Sequence, residues 1–237
     1  MPHTLFISDL HLSPDTPAAN ETLLRFLHET APAADALYVL GDLFEYWIGD
    51  EGLAQPFARE VAQAFRALTH GSVPVCFMHG NRDFLVGERF AFASGMKLLS
   101  DPSVVDLYGT RTLLMHGDTL CSDDHEYQKF RAMVRNPAWQ QAFLAKPLDE
   151  RMRMAREVRG KSERAKQVKD MTIMDVAPAA VEAAFRAHHY VRLIHGHTHR
   201  PARHGHKVDG RDCERWVLAD WYEHGSCLRC DADGCRA

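Results

Sequence analysis

Ala36-Leu37-Tyr38-Val39-Leu40-Gly41-Asp42 is a continuous apolar run that stops on a glycine and a carboxylate. It is too short for a globular helix and rich in β-formers, so it predicts a buried strand that presents Asp42 at its carboxyl end. Four other runs stop in the same way. Thr4-Leu5-Phe6-Ile7-Ser8 ends on Asp9-Leu10-His11, and Val73-Pro74-Val75-Cys76-Phe77-Met78 on His79-Gly80-Asn81-Arg82-Asp83. Arg111-Thr112-Leu113-Leu114-Met115 ends on His116-Gly117-Asp118, and Tyr190-Val191-Arg192-Leu193-Ile194 on His195-Gly196-His197-Thr198-His199. In an α/β sheet the strands are buried on both faces and only their carboxyl ends meet solvent, so ligands gather along that edge. Five strands would then deliver Asp, His and Asn side chains to one rim, with Asp42 at its centre.

A chain of 237 residues, 46% of them hydrophobic, fits one large α/β domain with an insertion and can bury a full core. No apolar run is long enough to cross a bilayer, and the N-terminus opens in a strand without a signal-peptide pattern. The expected compartment is therefore the cytoplasm. The net charge of -4 argues against a nucleic-acid binder by bulk electrostatics. Six cysteines are scattered, so a disulfide framework is not expected in a protein of this size. Cys227, Cys230 and Cys235 cluster at the end, where zinc is conceivable but a fourth ligand at regular spacing is missing.

After the first strand, Leu23, Leu24, Phe26 and Leu27 recur at helical spacing up to Pro32. A second helix carries Phe57, Val61, Phe65 and Leu68 on one face and stops near Gly71; a short one runs from Asp83 to Gly95. Tyr108-Gly109-Thr110-Arg111 and Asp209-Gly210 read as hairpin turns. Between these, residues 123–187 lose the strand signal and predict several short helices inserted between two site-bearing strands. An insertion there sits near the site mouth, where lids are found. Positions 151 to 169 carry Arg151, Arg153, Arg156, Arg159, Lys161, Arg164, Lys166 and Lys169 against Glu157 and Glu163, a local surplus of six positive charges. An arbitrary charge run is usually a solvated face. Its place beside the site points instead to an anionic partner.

A lone Asp-x-His is a weak signal, but five such strand ends together are not. Asp9, His11, Asp42, Asn81, His116, His197 and His199 form a mixed oxygen and nitrogen set suited to two divalent ions, with Asp42 able to bridge them. An amide beside carboxylates and imidazoles fits octahedral, Mn-like coordination better than the closed thiolate sites of structural zinc.

Asp9-x-His11, Gly41-Asp42-x-x-Glu45, Gly80-Asn81-Arg82-Asp83, His116-Gly117 and Gly196-His197-x-His199 resemble, in order, the five blocks of the calcineurin-like metallophosphoesterases. Longer strings, such as Leu40-Gly41-Asp42-Leu43-Phe44-Glu45 and His79-Gly80-Asn81-Arg82-Asp83-Phe84-Leu85, are similar to the bacterial UDP-2,3-diacylglucosamine diphosphatase family of lipid A synthesis. The resemblance implies an α/β fold, a β-sandwich flanked by helices in four αββα layers, with residues 1–122 and 188–237 as core and 123–187 as a helical cap. It implies two Mn2+ per chain, one held by Asp9, His11, Asp42 and His199 and the other by Asp42, Asn81, His116 and His197. It implies catalytic roles for Asn81, Arg82 and His116. It also implies contacts with a UDP-diacylglucosamine lipid at Asn81, Arg82, Asp124 and His197 and, in the cap, at Ser162, Lys166 and Lys169. Lys166 departs from the family's cap pattern, which carries an amide there. The expected form is a monomer held peripherally on the cytoplasmic face of the inner membrane.

The leaving group bears on the reaction. Many phosphoesterases of this superfamily carry His where this chain has Arg82, and that His can protonate a departing alkoxide. A guanidinium stays charged at any working pH, but it grips phosphate oxygens in a bidentate fork. A departing phosphate needs little protonation, so Arg82 favours pyrophosphate cleavage over ester cleavage; a generic dinuclear phosphodiesterase or phosphatase is the alternative. Within the cap, Leu144, Leu148, Met152, Met154, Val158, Met171, Ile173 and Met174 are candidates either for contacting acyl chains or for packing the cap on the core.

Overall fold

The computed structural model describes residues 1–168, 175–189, 192–222 and 224–237, and of residues 161–168 the backbone. In chain order the first half comprises β1 (Thr4–Ile7), α1 (Pro17–Glu29), β2 (Ala36–Val39), α2 (Pro56–His70), β3 (Val75–Met78), α3 (Glu88–Ser94) and β4 (Lys97–Leu99). The hairpin β5 (Ser103–Leu107) and β6 (Thr110–Leu114) follows, then α4 (His125–Val134), α5 (Pro137–Leu144), α6 (Leu148–Val168) and α7 (Pro178–Ala187). β7 (Arg192–His195), β8 (Ala202–Val208), β9 (Arg211–Val217), β10 (Leu228–Asp231) and β11 (Gly234–Arg236) complete it.

Two sheets form, ordered β11-β10-β1-β2-β3-β4 and β5-β6-β7-β9-β8. Strand alternation separates their faces. Leu5 and Ile7 of β1, with Val75 and Phe77 of β3, face a core shared with Leu23 and Leu27 of α1 and Val61, Phe65 and Leu68 of α2. Phe6 and Met78 point the other way and meet Leu107, Leu114 and Ile194 of the second sheet. Leu113 and Leu193, one residue earlier on the second sheet, turn outward onto Val181 and Phe185 of α7. The layers are therefore helix, sheet, sheet, helix, as expected. α7 lies within the stretch expected as cap, yet it forms the outermost core layer.

Several local expectations change. The helix expected from Asp83 begins at Glu88, because the buried Asp83 carboxylate accepts the backbone N–H of Leu43 at 2.7 Å and of Gly80 at 2.9 Å. The rim is shared: β1, β2 and β3 belong to one sheet and β6 and β7 to the other. Cys230 and Cys235 face each other in the antiparallel β10–β11 pair and form a disulfide, so they are not available as zinc ligands. In the insertion, Leu148, Met152 and Met154 pack against the first core cluster, whereas Leu144 and Val158 are exposed; Met171, Ile173 and Met174 lie outside the described residues.

The basic run also divides. Arg151 is buried, its Nη1 donating to the Ile48 carbonyl at 2.6 Å and lying 3.2 Å from Glu51 Oε2, which anchors α6 to the loop after β2. Arg159 points to Glu45, while Arg153 and Arg156 face solvent. Among the described residues no helix is long and apolar enough to cross a membrane.

Candidate metal centre

Most of the expected ligands sit where a strand has ended and the backbone turns into the left-handed region. Asp9, His11, Asp42, His197 and His199 have φ of 56°, 49°, 53°, 69° and 53°. Positive φ is uncommon outside glycine and costs of order 1–3 kcal/mol per residue. Four other non-glycine residues among those described adopt it, Ser72, Tyr108, His189 and Asp209, so the strain concentrates at the rim. Backbone bonds between adjacent loops hold it there: Asp9 N–H to the Gly41 carbonyl at 3.1 Å, His11 N–H to Asp42 at 3.0 Å and Gly196 N–H to His116 at 2.9 Å. The glycines beside the ligands permit this closeness. A Cβ on Gly80 would lie 2.1 Å from Asp42 Oδ1, and one on Gly196 would lie 2.3 Å from Asp9 Oδ2.

Six of the candidate ligands gather into two sets that could each hold an ion, Asp9, His11 and His199, and Asp42, His116 and His197. In the first, Asp9 Oδ2 accepts from Ser8 Oγ at 2.5 Å and from the His197 N–H at 2.9 Å. Its Oδ1 is buried without a hydrogen bond, 3.4 Å from His199 Nε2. His11 Nε2 and His199 Nε2 approach to 3.2 Å. In the second, His116 Nδ1 must donate to the Leu40 carbonyl at 2.8 Å, since a carbonyl only accepts. In the neutral ring, the form that binds a cation, Nε2 of His116 then faces inward with its lone pair. The Asn81 amide oxygen lies 3.0 Å from that nitrogen and 2.8 Å from His197 Nδ1. The reversed amide would satisfy these neighbours by donating to them, but the oxygen-inward rotamer converges with the imidazole nitrogens and Asp42 as ligands converge on a cation. The orphaned Asp9 oxygen fits the same need at the other set, so the residues present suit a pair of divalent ions.

Electrostatics agree. Burial alone would raise the Asp9 pKa, but the surrounding His199, His116 and His11 outweigh it and hold the carboxyl far below the ordinary range. Burial likewise opposes charge on His116, and the Asp42, Asp118 and Asp9 carboxylates lift its pKa to about 9. Burial, followed by the charge of Asp42, pushes Asp83 up to about 7. Carboxylates and imidazoles this close depend on one another for neutralisation, which a bound cation supplies instead.

Arg82 lies at the edge of the second set. Its backbone N–H donates to Asp42 Oδ1 at 2.8 Å, its Nη1 donates to Glu45 Oε1 at 3.1 Å, and its Nε is 3.9 Å from Asp42 Oδ2. Five guanidinium N–H donors exceed what these contacts use. Glu45 also meets Arg159 of α6 and sits 3.4 Å from His11 Nδ1. Burial would raise its pKa, yet His11, Arg82 and Arg159 bring it down to about 2. Asp124 caps α4, accepting the Tyr127 N–H at 3.1 Å. Ser162 and Lys166 fall in α6, where the backbone alone is described, and Lys169 lies outside the described residues.

Several residues at the site were not anticipated. Tyr127 packs its ring on His197 with centroids 5.9 Å apart and donates its hydroxyl to the buried Asp118 at 2.5 Å. Asp220 Oδ2 lies 3.2 Å from His199 Nδ1, and the Tyr222 ring stacks on His11. A signal for Asp220 was present, because the run Arg215–Leu218 also ends near an acid.

The profile of the calcineurin-like phosphoesterases matches residues 2–201. The chain belongs to that family. Within it, a UDP-2,3-diacylglucosamine hydrolase of Xanthomonas axonopodis pv. citri is 53% identical over 98% of this chain and 96% of its own length. The UDP-2,3-diacylglucosamine hydrolase of Stenotrophomonas maltophilia strain K279a is 52% identical over the same shares.

Proposed function

We propose that this protein hydrolyses the pyrophosphate bond of UDP-2,3-diacylglucosamine, water attacking the α-phosphorus to give UMP and 2,3-diacylglucosamine 1-phosphate, a step of lipid A biosynthesis. The observation that carries this reading is the convergence of two ligand sets beside an arginine in a chain half identical to hydrolases of that name. Two divalent ions bound there, Mn2+ by preference, would supply Lewis acidity and lower the pKa of water at the site. Asp9, His11 and His199 would hold one, Asn81, His116 and His197 the other, with Asp42 between them.

The remaining roles belong to side chains. Arg82 holds the non-bridging oxygens of the phosphate under attack and neutralises charge that grows there in the transition state. Asp42 and Glu45 aim its guanidinium. No group at Arg82 can protonate the leaving oxygen, which a phosphate leaving group does not require. Asp124, Ser162, Lys166, Lys169 and the face of His197 contribute further substrate contacts.

Of residues 123–187, expected as the cap, α4 to α6 are the capping part, with α6 reaching the site through Arg159 and Glu45, while α7 serves as a core layer. A shallow cleft of about 40 Å³ lies beside Glu45, lined by Leu12, Phe44, Trp47, Phe57 and Met152; it is too small to hold an acyl chain as it stands, and its apolar lining is the surface on which such a chain would lie. Arg153 and Arg156 give the cap a basic outer face for the anionic inner leaflet, where a peripheral monomer would meet its substrate. Purified protein with Mn2+ should cleave UDP-2,3-diacylglucosamine far faster than a chromogenic phosphodiester. Equal rates on both would replace this reading with that of a generic phosphodiesterase.

A further inference from the structure

Three consecutive residues after β9 each touch a different ligand of the first set. The Asp220 carboxylate lies 3.2 Å from the outward nitrogen, Nδ1, of His199. The Trp221 N–H donates to the Asp9 carbonyl at 3.2 Å. The Tyr222 ring lies parallel to that of His11, with centroids 5.3 Å apart and planes 6° apart. Asp220 is itself held, since its Oδ1 accepts the Tyr222 N–H at 3.3 Å, and the Trp221 side chain is buried against Phe26.

The second set is oriented differently. There the outward nitrogen of His116 meets a backbone carbonyl, which has no charge to lend. In the first set the outward nitrogen of His199 faces the Asp220 carboxylate at 3.2 Å, whereas that of His11 lies 3.4 Å from Glu45 without a hydrogen bond. A carboxylate behind a ligating imidazole fixes its tautomer, keeps the inward nitrogen free and raises its basicity.

We propose that the Asp220-Trp221-Tyr222 turn is the positioning element of the first metal site, with Asp220 orienting His199 and so strengthening that site's hold on its ion. This rests on the dinuclear reading given above. Glu45 shares the role at His11 but also holds Arg82 and Arg159, which makes Asp220 the cleaner probe.

The test is Mn2+ titration of metal-free protein, with unbound Mn2+ counted by its six-line EPR signal. Wild type should take up two ions per chain and develop the spectrum of a coupled pair. Asp220→Ala should keep the wild-type melting temperature without metal, bind one ion as wild type does, and bind the other about 10- to 100-fold more weakly. Asp220→Asn, which retains an acceptor without the charge, should fall between. His116→Ala weakens the opposite site, so the double variant Asp220→Ala/His116→Ala should bind neither ion tightly. Two ions held by Asp220→Ala at wild-type affinity, or both weakened equally, would overturn the proposal. If Asp220→Ala does not fold, Asp220→Asn decides on the same criteria. Wild type binding fewer than two ions would overturn the dinuclear reading itself.

Discussion

Asp42 is the residue on which the two ligand sets depend. It contributes to the second set directly, its carbonyl receives the His11 N–H at 3.0 Å, and its carboxylate fixes the Arg82 backbone. If its carboxylate bridges the two sets as proposed, Asp42→Ala should lose both ions and all activity, whereas Asn81→Ala should weaken one site and recover in part with excess Mn2+. Retention of two ions by Asp42→Ala, read by elemental analysis, would refute the bridging role. Arg82→His should lower pyrophosphate turnover by about 2.7–4 kcal/mol, the usual loss for one transition-state contact, and favour esters with poorer leaving groups. Unchanged turnover of the pyrophosphate would show that Arg82 does not clamp the phosphate.

At the level of elements, α6 decides how the cap meets the site. Its basic residues do three different things: Arg151 anchors the helix to Ile48 and Glu51, Arg159 reaches Glu45, and Arg153 and Arg156 face outward. Replacing Arg153 and Arg156 together should weaken sedimentation with anionic vesicles by about 1 kcal/mol per residue, more so at low salt, with metal content intact. Arg159→Ala belongs to a different experiment. Because Arg159 is paired beside His11 and Arg82, its loss should reduce turnover and leave vesicle binding nearly unchanged. The opposite partition, measured by the same sedimentation and rate assays, would place Arg159 on the membrane face.

For the whole molecule, ions that bind only the folded chain stabilise it by mass action. At free Mn2+ one hundred times the dissociation constant, each site adds about 2.7 kcal/mol. In a domain of this size that corresponds to a rise in Tm of about 5–10 °C per site. A chelator should remove the rise and added Mn2+ restore it. A melt indifferent to chelator at saturating Mn2+ would separate the metal centre from the stability of the fold.

Most of the strands and the seven candidate ligands were legible in the sequence because each depends on neighbours a few residues away: an apolar run, a glycine, a short polar string; the short β4 and β11 and the strand order were not. Which ligands share an ion came only from the family resemblance and not from the spacing, since His11 and His199 stand 188 residues apart and meet at 3.2 Å only after two sheets have packed. Nor was the split of the rim between the sheets legible, or the Cys230–Cys235 bond, which the hairpin register creates. Charge count in 151–169 could not distinguish an anchor, a site contact and a solvent face, because the direction of each arginine follows from how α6 lies on Ile48 and Glu45. Asp220 likewise became a site residue only when the turn after β9 folded against Asp9. Local pattern encodes where a chain turns and what it carries there; the choice of partners across the chain is made by packing.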